Sequence, residues 1–369
     1  MESSFSAPIL RTDMVMPADI SKRAVEVHRR AFVFDAHADT LTQMTDLEYD
    51  LDNPEGVGHL DFLRVSDGVL DAQVFTCFVH PDYLPDRGAD RVRQMLSTMD
   101  RQVERFPNRL ALCTRPGQIA KARQDGRFAA VLAIEGGHAI ENSLSVLAEF
   151  ASRGVRSMTL TWNNSNEWAD GCGEEGPHGG LTNRGREVVA AMEEHGLIAD
   201  ISHVSRSTFD DVCAIARQPL LASHSCSRVL REHPRNLDDD QLRVIADSGG
   251  VACVNFYPSF LTEVEHATLD DVLDHVERFI SVAGADHVGL GTDYDGIPTT
   301  PEGLEDVSAL PRVTDGLLER GHSSEVVEQI LGGNLLRLFD GDLTTEAPPS
   351  QEAQSPAMRG THPAPNQPS

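Results

Sequence analysis

Phe32-Val33-Phe34-Asp35-Ala36-His37-Ala38-Asp39-Thr40 is an apolar run that ends in His-x-Asp. Residues two apart in a β-strand point to one face, so His37 and Asp39 are expected to project together. Imidazole and carboxylate on one face make two sides of a divalent-cation site, and zinc suits that pair. The same position bears on the fold. A doubly wound sheet carries a glycine-rich turn after its first strand; here that place holds His37-Ala38-Asp39. Alone, His-x-Asp is a weak signal, as much at home in a solvated loop. Its weight comes from the strand ends that follow it.

Short β-rich runs recur at Phe32–Phe34, Leu70–Val79, Ala129–Ile134, Ser157–Thr161, Leu197–Ile201, Leu220–Ala222, Val251–Phe256 and Val288–Gly291. After a first helix at Ile20–Arg30, amphipathic segments separate them: Ala89–Arg105, Ser143–Arg153, Thr182–Glu194, Ser207–Ala216, Asp238–Ser248 and Leu269–Ala283. Strands alternating with helices imply βαβ units and a parallel sheet. A count of eight predicts an α/β fold of the (β/α)8 TIM-like barrel type, as a single domain over residues 18–343. Residues 1–17 read as a flexible amino-terminal arm. Residues 344–369 read as a disordered Pro-rich tail, with too few large apolar side chains to order themselves.

The chain has 369 residues, of which 40% are hydrophobic and 24% charged, the balance of a folded globular protein. Its formal net charge of -27 leaves no basic stripe for phosphates and argues against nucleic acid or anionic membranes as partners. The six cysteines are scattered without a Cys-x-x-Cys pair, which disfavours a disulfide framework. Met1–Met16 lacks the basic start and long apolar run of a secretory signal, and no apolar stretch reaches membrane-spanning length. A cytoplasmic protein without a membrane anchor is expected.

Barrel enzymes place their chemistry at the carboxyl ends of the strands. There the sequence offers His37 and Asp39, then Glu135 before Gly136-Gly137, His203, His224, and Asp293 in Gly291-Thr292-Asp293. Each has an ordinary explanation: a helix-start carboxylate for Glu135, a cap neighbour for His203, a core histidine for His224, a turn former for Asp293. Six such accidents on one face are implausible together. Five ligands exceed one four-coordinate zinc and suit two metals, with the two oxygens of Glu135 as a bridge. Asp293 then becomes a general base or a water-orienting group. Two metals would hold a hydroxide and polarise a carbonyl, equipment for amide or ester hydrolysis.

These segments resemble the membrane (renal) dipeptidase family of zinc metallopeptidases, in the amidohydrolase superfamily. The resemblance spans about Phe32 to Phe339. It is carried by Phe34–Asp39, Ala133–His138, Ile201–Ser205, Ala222–Ser225, Gly291–Gly296, Pro301–Val307 and Gly333–Arg337. It implies two Zn2+ per chain, with Mn2+ or Co2+ as alternatives. His37 and Asp39 would hold the first metal, His203 and His224 the second, and Glu135 would bridge them. It further implies Asp293 as the acid/base of dipeptide hydrolysis and Arg235 as the grip on the substrate's terminal carboxylate. Without the resemblance, Arg235 reads as a surface partner of Asp238 or Asp239.

The resemblance implies cleavage of L-L and L-D dipeptides, and a homodimer. One departure stands out: better-known members carry a histidine where this chain reads Leu160-Thr161-Trp162-Asn163-Asn164. Trp162 and Asn163 are therefore the expected substrate-binding substitutes, by indole N–H or amide. Two rival readings stay open: an amidohydrolase acting on a lactone or N-acyl amino acid, and a silent metal-binding scaffold.

Overall fold

A computed structural model of the chain describes residues 17, 19–53, 56–173, 176–264 and 266–341. The expected arm, apart from Pro17, and the expected tail lie outside the described residues. Among the described residues, no helix is long and apolar enough to cross a membrane.

One parallel sheet contains β1 (Phe34–Ala38), β2 (Ala72–Phe78), β3 (Leu110–Leu112), β4 (Phe128–Glu135), β5 (Val155–Thr159), β6 (Ile198–Asp200), β7 (Leu221–Ser225), β8 (Val251–Val254) and β9 (Val288–Leu290). β1 pairs with both β2 and β9, and β2 pairs with β4 from Ala72↔Ala129 to Phe78↔Glu135. Those pairings close eight strands into the expected (β/α)8 barrel. β3 is outside the eight. It pairs only with the start of β4, from Leu110↔Phe128 to Leu112↔Ala130, whereas β5 takes over from Leu132.

The first strand begins and ends later than its hydropathy suggests, at Phe34–Ala38 rather than Phe32–Phe34. Apolarity stops at Asp35, yet the strand continues because that buried carboxylate is satisfied. It accepts hydrogen bonds from the backbone N–H of Thr292 at 2.8 Å and from its hydroxyl at 2.7 Å. The helices begin where small polar caps stand. Hydroxyls of Ser21, Ser143, Thr182 and Ser205 accept from the N–H of Ala24, Val146, Gly185 and Thr208. Asp238 with Gln241, and Thr268 with Asp271, form reciprocal capping boxes. Each cap contributes about 1 kcal/mol and fixes where a helix leaves its loop.

Ala72, Ala129, Ile198, Leu221 and Val251, from strands around the whole barrel, share one apolar cluster with Leu335, Leu338 and Phe339. The latter belong to the last helix, Asn334–Asp340, which seals the amino-terminal end of the barrel. The ring of Phe339 lies 5.5 Å from that of Phe34, and its carbonyl accepts a 2.6 Å hydrogen bond from buried Arg156. Asn334 donates to the carbonyls of Ala285 and Val288, at 2.7 and 2.9 Å. With this end closed, the opposite mouth is left for chemistry.

Candidate metal centre

The structure brings His37, Asp39, Glu135, His203, His224 and Asp293 together at the carboxyl-terminal mouth. Glu135 is the last residue of β4, His37 and His224 lie within β1 and β7, and Asp39, His203 and Asp293 follow their strands. Nε2 of His37 stands 3.4 Å from Glu135 Oε2, 3.8 Å from Asp39 Oδ2 and 4.0 Å from Asp293 Oδ1. On the other side, Glu135 Oε1 is 2.7 Å from Nε2 of His203 and 3.4 Å from Nε2 of His224. Asp39 shares a side with His37, as expected, although it starts a helix rather than continuing the strand.

His203 and Asp293 both adopt left-handed backbone, at φ 71° and 63°. Side chains with a Cβ seldom sit there unless their surroundings hold them. The His203 carbonyl accepts from Cys172 N–H at 2.8 Å and from the Thr161 hydroxyl at 3.0 Å. The Asp293 N–H donates to the carbonyl of His37 at 3.0 Å, tying the β9 loop directly to β1.

All six side chains are largely withdrawn from water, and this sets their protonation. Burial pushes the carboxyl of Asp39 up to about 6 and that of Asp293 up to about 7, with the charge of Glu135 adding to both. Burial also opposes ionisation of Glu135, but the charge of His37 and hydrogen bonds from His203 and His224 hold it well below the usual range. Burial drives His203 down to about 4 and His224 well below an ordinary histidine. For His37 the same burial is outweighed by Glu135 and Asp39, which hold it well above.

A neutral imidazole pair and two reluctant acids thus surround one charged imidazole and one ionised carboxylate, a dense set of buried donor atoms. Nε2 of His37 and Oδ1 of Asp39 are buried without a hydrogen-bond partner among the described residues, at a cost of about 1–3 kcal/mol each. Ligand atoms of His37, Glu135 and His224 lie within 4.8 Å of one another, as do those of His37, Asp39 and Asp293. A divalent cation satisfies these orphaned atoms; the donor set fits a metal.

A family model described as membrane dipeptidase, peptidase family M19, matches residues 21–351. The chain belongs to that family. It is a metal-dependent hydrolase of dipeptide bonds. An uncharacterised dipeptidase of Schizosaccharomyces pombe is 36% identical over 343 residues, covering 86% of this chain and 82% of the relative. Among solved structures, dipeptidase AC, a family M19 metallopeptidase, matches with a TM-score of 0.78 at 28% identity, over 85% of this chain and 99% of that one. A metallopeptidase of Rhodobacter sphaeroides, liganded with a phosphinate mimic of L-Ala-D-Ala, matches at 0.77 and 27%, over 84% and 99%.

In this M19 dipeptidase, Arg235 is buried at 4% exposure rather than paired on the surface. Asp238 is taken by Arg206 and Arg228, and Asp239 by Arg278. Arg235 donates to the His224 carbonyl at 2.8 Å and lies 5.4 Å over the ring of Phe260, while its Nε has no partner among the described residues. Trp162 is half-buried at the rim, 5.3 Å from the ring of Phe78, 6.0 Å from His80 and 6.2 Å from His203. Asn163 Oδ1 lies 2.9 Å from Nδ1 of His203, and the Ser223 hydroxyl 2.8 Å from Nδ1 of His224. With a cation bound, the Asn163 oxygen would hold the His203 proton at Nδ1 and leave Nε2 as the ligand atom; the Ser223 hydroxyl, able to donate or accept, can do the same at His224.

Several contributors escape sequence reasoning. Asn255 donates to Asp293 Oδ2 at 2.9 Å, and its only sequence signal is a polar residue interrupting the run Val251–Phe256. Gly296 leaves room for the carboxylates: a Cβ there would come within 2.1 Å of Asp39 Oδ2 and 2.6 Å of Asp293 Oδ1. Gly136 and Gly137, just after Glu135, serve packing. Their missing Cβ atoms make room for the His138 ring and the Leu160 carbonyl.

Proposed function

We propose that this dipeptidase hydrolyses L-L and L-D dipeptides at a binuclear zinc centre. His37 and Asp39 would hold one ion, His203 and His224 the other, and Glu135 both. The observation that carries this reading is the division of Glu135: Oε2 faces His37 while Oε1 faces His203 and His224. When bound, the metals would supply Lewis acidity for the scissile carbonyl and an acidified water as nucleophile.

The chain's own residues do the rest. Asp293 takes the proton of the attacking water on Oδ1 and returns it to the leaving amine, so the nitrogen departs neutral. Arg235 orients the substrate through its free carboxylate, a planar match for the guanidinium fork. Trp162, Phe78 and His80 wall the side of the mouth next to His203. Tolerance of a D-residue is supported by the L-Ala-D-Ala mimic held by the Rhodobacter sphaeroides relative.

The test is a panel of L-L and L-D dipeptides with chelator-stripped protein titrated with zinc, then with manganese and cobalt. Activity returning at about two zinc ions per chain is the expected result. Saturation at one ion would overturn the binuclear centre. Full metal loading with cleavage only of lactones or N-acyl amino acids would overturn the substrate.

A further inference from the structure

We infer that Asn255 is a positioning residue for proton transfer: it occupies one oxygen of Asp293 and leaves the other to carry the proton. The inference rests on the acid/base reading of Asp293 given above. Asn255 follows β8 directly and is fully buried. Its backbone is held at the end of β7, the N–H donating to the Ser225 carbonyl at 3.1 Å and the carbonyl accepting from the thiol of Cys226, the next residue, at 3.2 Å.

The orientation of its amide follows from donor and acceptor chemistry. The backbone N–H of Tyr257 lies 2.5 Å from Oδ1 of Asn255 and can only donate, so the amide oxygen must face it. The NH2 group is thereby turned to Asp293, where Nδ2 donates to Oδ2 at 2.9 Å. An N–H donor strengthens its bond when the oxygen it meets is unprotonated. The proton of Asp293 is therefore directed to Oδ1, the oxygen 4.0 Å from Nε2 of His37 and turned toward the His37 and Asp39 ligand atoms. Tethered through its N–H to His37 and through Oδ2 to Asn255, Asp293 has its reactive oxygen fixed by two independent bonds.

Asn255→Asp is the decisive variant. It keeps an acceptor for Tyr257 and exchanges only the N–H donor for an oxygen. Asn255→Ala removes both halves. Steady-state kinetics on a cleaved dipeptide would be followed from about pH 7 to about pH 9.5, to carry the new buried carboxyl through its ionisation, and read at the upper end beside metal content per chain. We expect kcat to fall at least about tenfold in both variants, with KM and metal content within about twofold of the parent. Retention of parental kcat by Asn255→Asp overturns the inference, as does a loss confined to KM or matched by loss of metal. Asp293→Asn, measured alongside, separates the two ideas. If it stays active the acid/base reading falls; if it is dead while the Asn255 variants are normal, only the role of Asn255 falls.

Discussion

Nε2 of His203 and Nε2 of His224 face each other at 2.8 Å. Each ring has its Nδ1 engaged, by Asn163 and by Ser223. Burial keeps both rings neutral, so without a cation at most one proton is shared between these two nitrogens.

Metal removal should therefore be felt by the whole barrel. A ligand present at about a thousand times its Kd stabilises the folded state by about 4 kcal/mol. For a domain of this size, that corresponds to a fall in Tm on the order of 10 °C on chelation. Calorimetry with and without chelator checks it; an unchanged Tm would mean the cluster is stable without metal. His224→Asn should lower metal content per chain and abolish turnover together.

Gly296→Ala places a methyl against both Asp39 and Asp293. Because Gly296 lies at the exposed rim, the fold should survive with Tm nearly unchanged. Turnover should fall about a hundredfold, the size of effect that displacement of a reacting group by roughly 1 Å produces. Activity beside circular dichroism of the purified variant decides it.

Arg235→Ala should raise KM for dipeptides with a free carboxylate by at least about thirtyfold, as expected when a buried charge loses its partner. Amidated dipeptides should be poor substrates for the parent and little altered in the variant. Equal losses on both would remove the carboxylate from the role of Arg235 and leave only its bond to the His224 carbonyl.

His28 gives the fold an acid-sensitive point far from the mouth. It is wholly buried, with Nδ1 2.7 Å from the Thr314 hydroxyl and Nε2 3.0 Å from the Val69 carbonyl, an arrangement that satisfies one neutral tautomer. Burial lowers it to about 4. The unfolded chain takes up this proton first, near pH 6.5, so stability is full above that value and falls as pH drops toward about 4. The loss amounts to at most about 3 kcal/mol. Urea unfolding between about pH 7 and pH 4 should show a steeper decline in the parent than in His28→Gln.

The barrel was readable because its eight strands follow short apolar runs separated by amphipathic helices, and each run overlaps an observed strand, the first only at Phe34. The site was readable because five strand ends finish in ligand-type residues. What escaped has a common cause. β3 lies outside the ring of eight and pairs only with the start of β4, so no βαβ repeat marks it. Ser223 and Asn255, and the bond of Asn163 to His203, act on residues that are remote in sequence or turned by local backbone, which spacing cannot reveal. The true edge of β1 was hidden by Asp35, whose burial depends on Thr292 at the far end of the chain. Motifs such as Gly333–Arg337 proved architectural, with Asn334 clasping the β9 approach.

The floor formed by Asn334–Asp340 also has a bearing on how the chain is made. A ribosome releases β1 early, but the residues that seal its end, and β9 beside it, emerge only some 250 to 300 positions later. Until then the apolar faces of Phe34, Ala72 and Val251 have no cover from Leu335 and Phe339. Nascent chains that stall before the last helix would thus present a bare, sticky floor to chaperones and proteases, so that synthesis must run almost to its end before a lasting barrel exists.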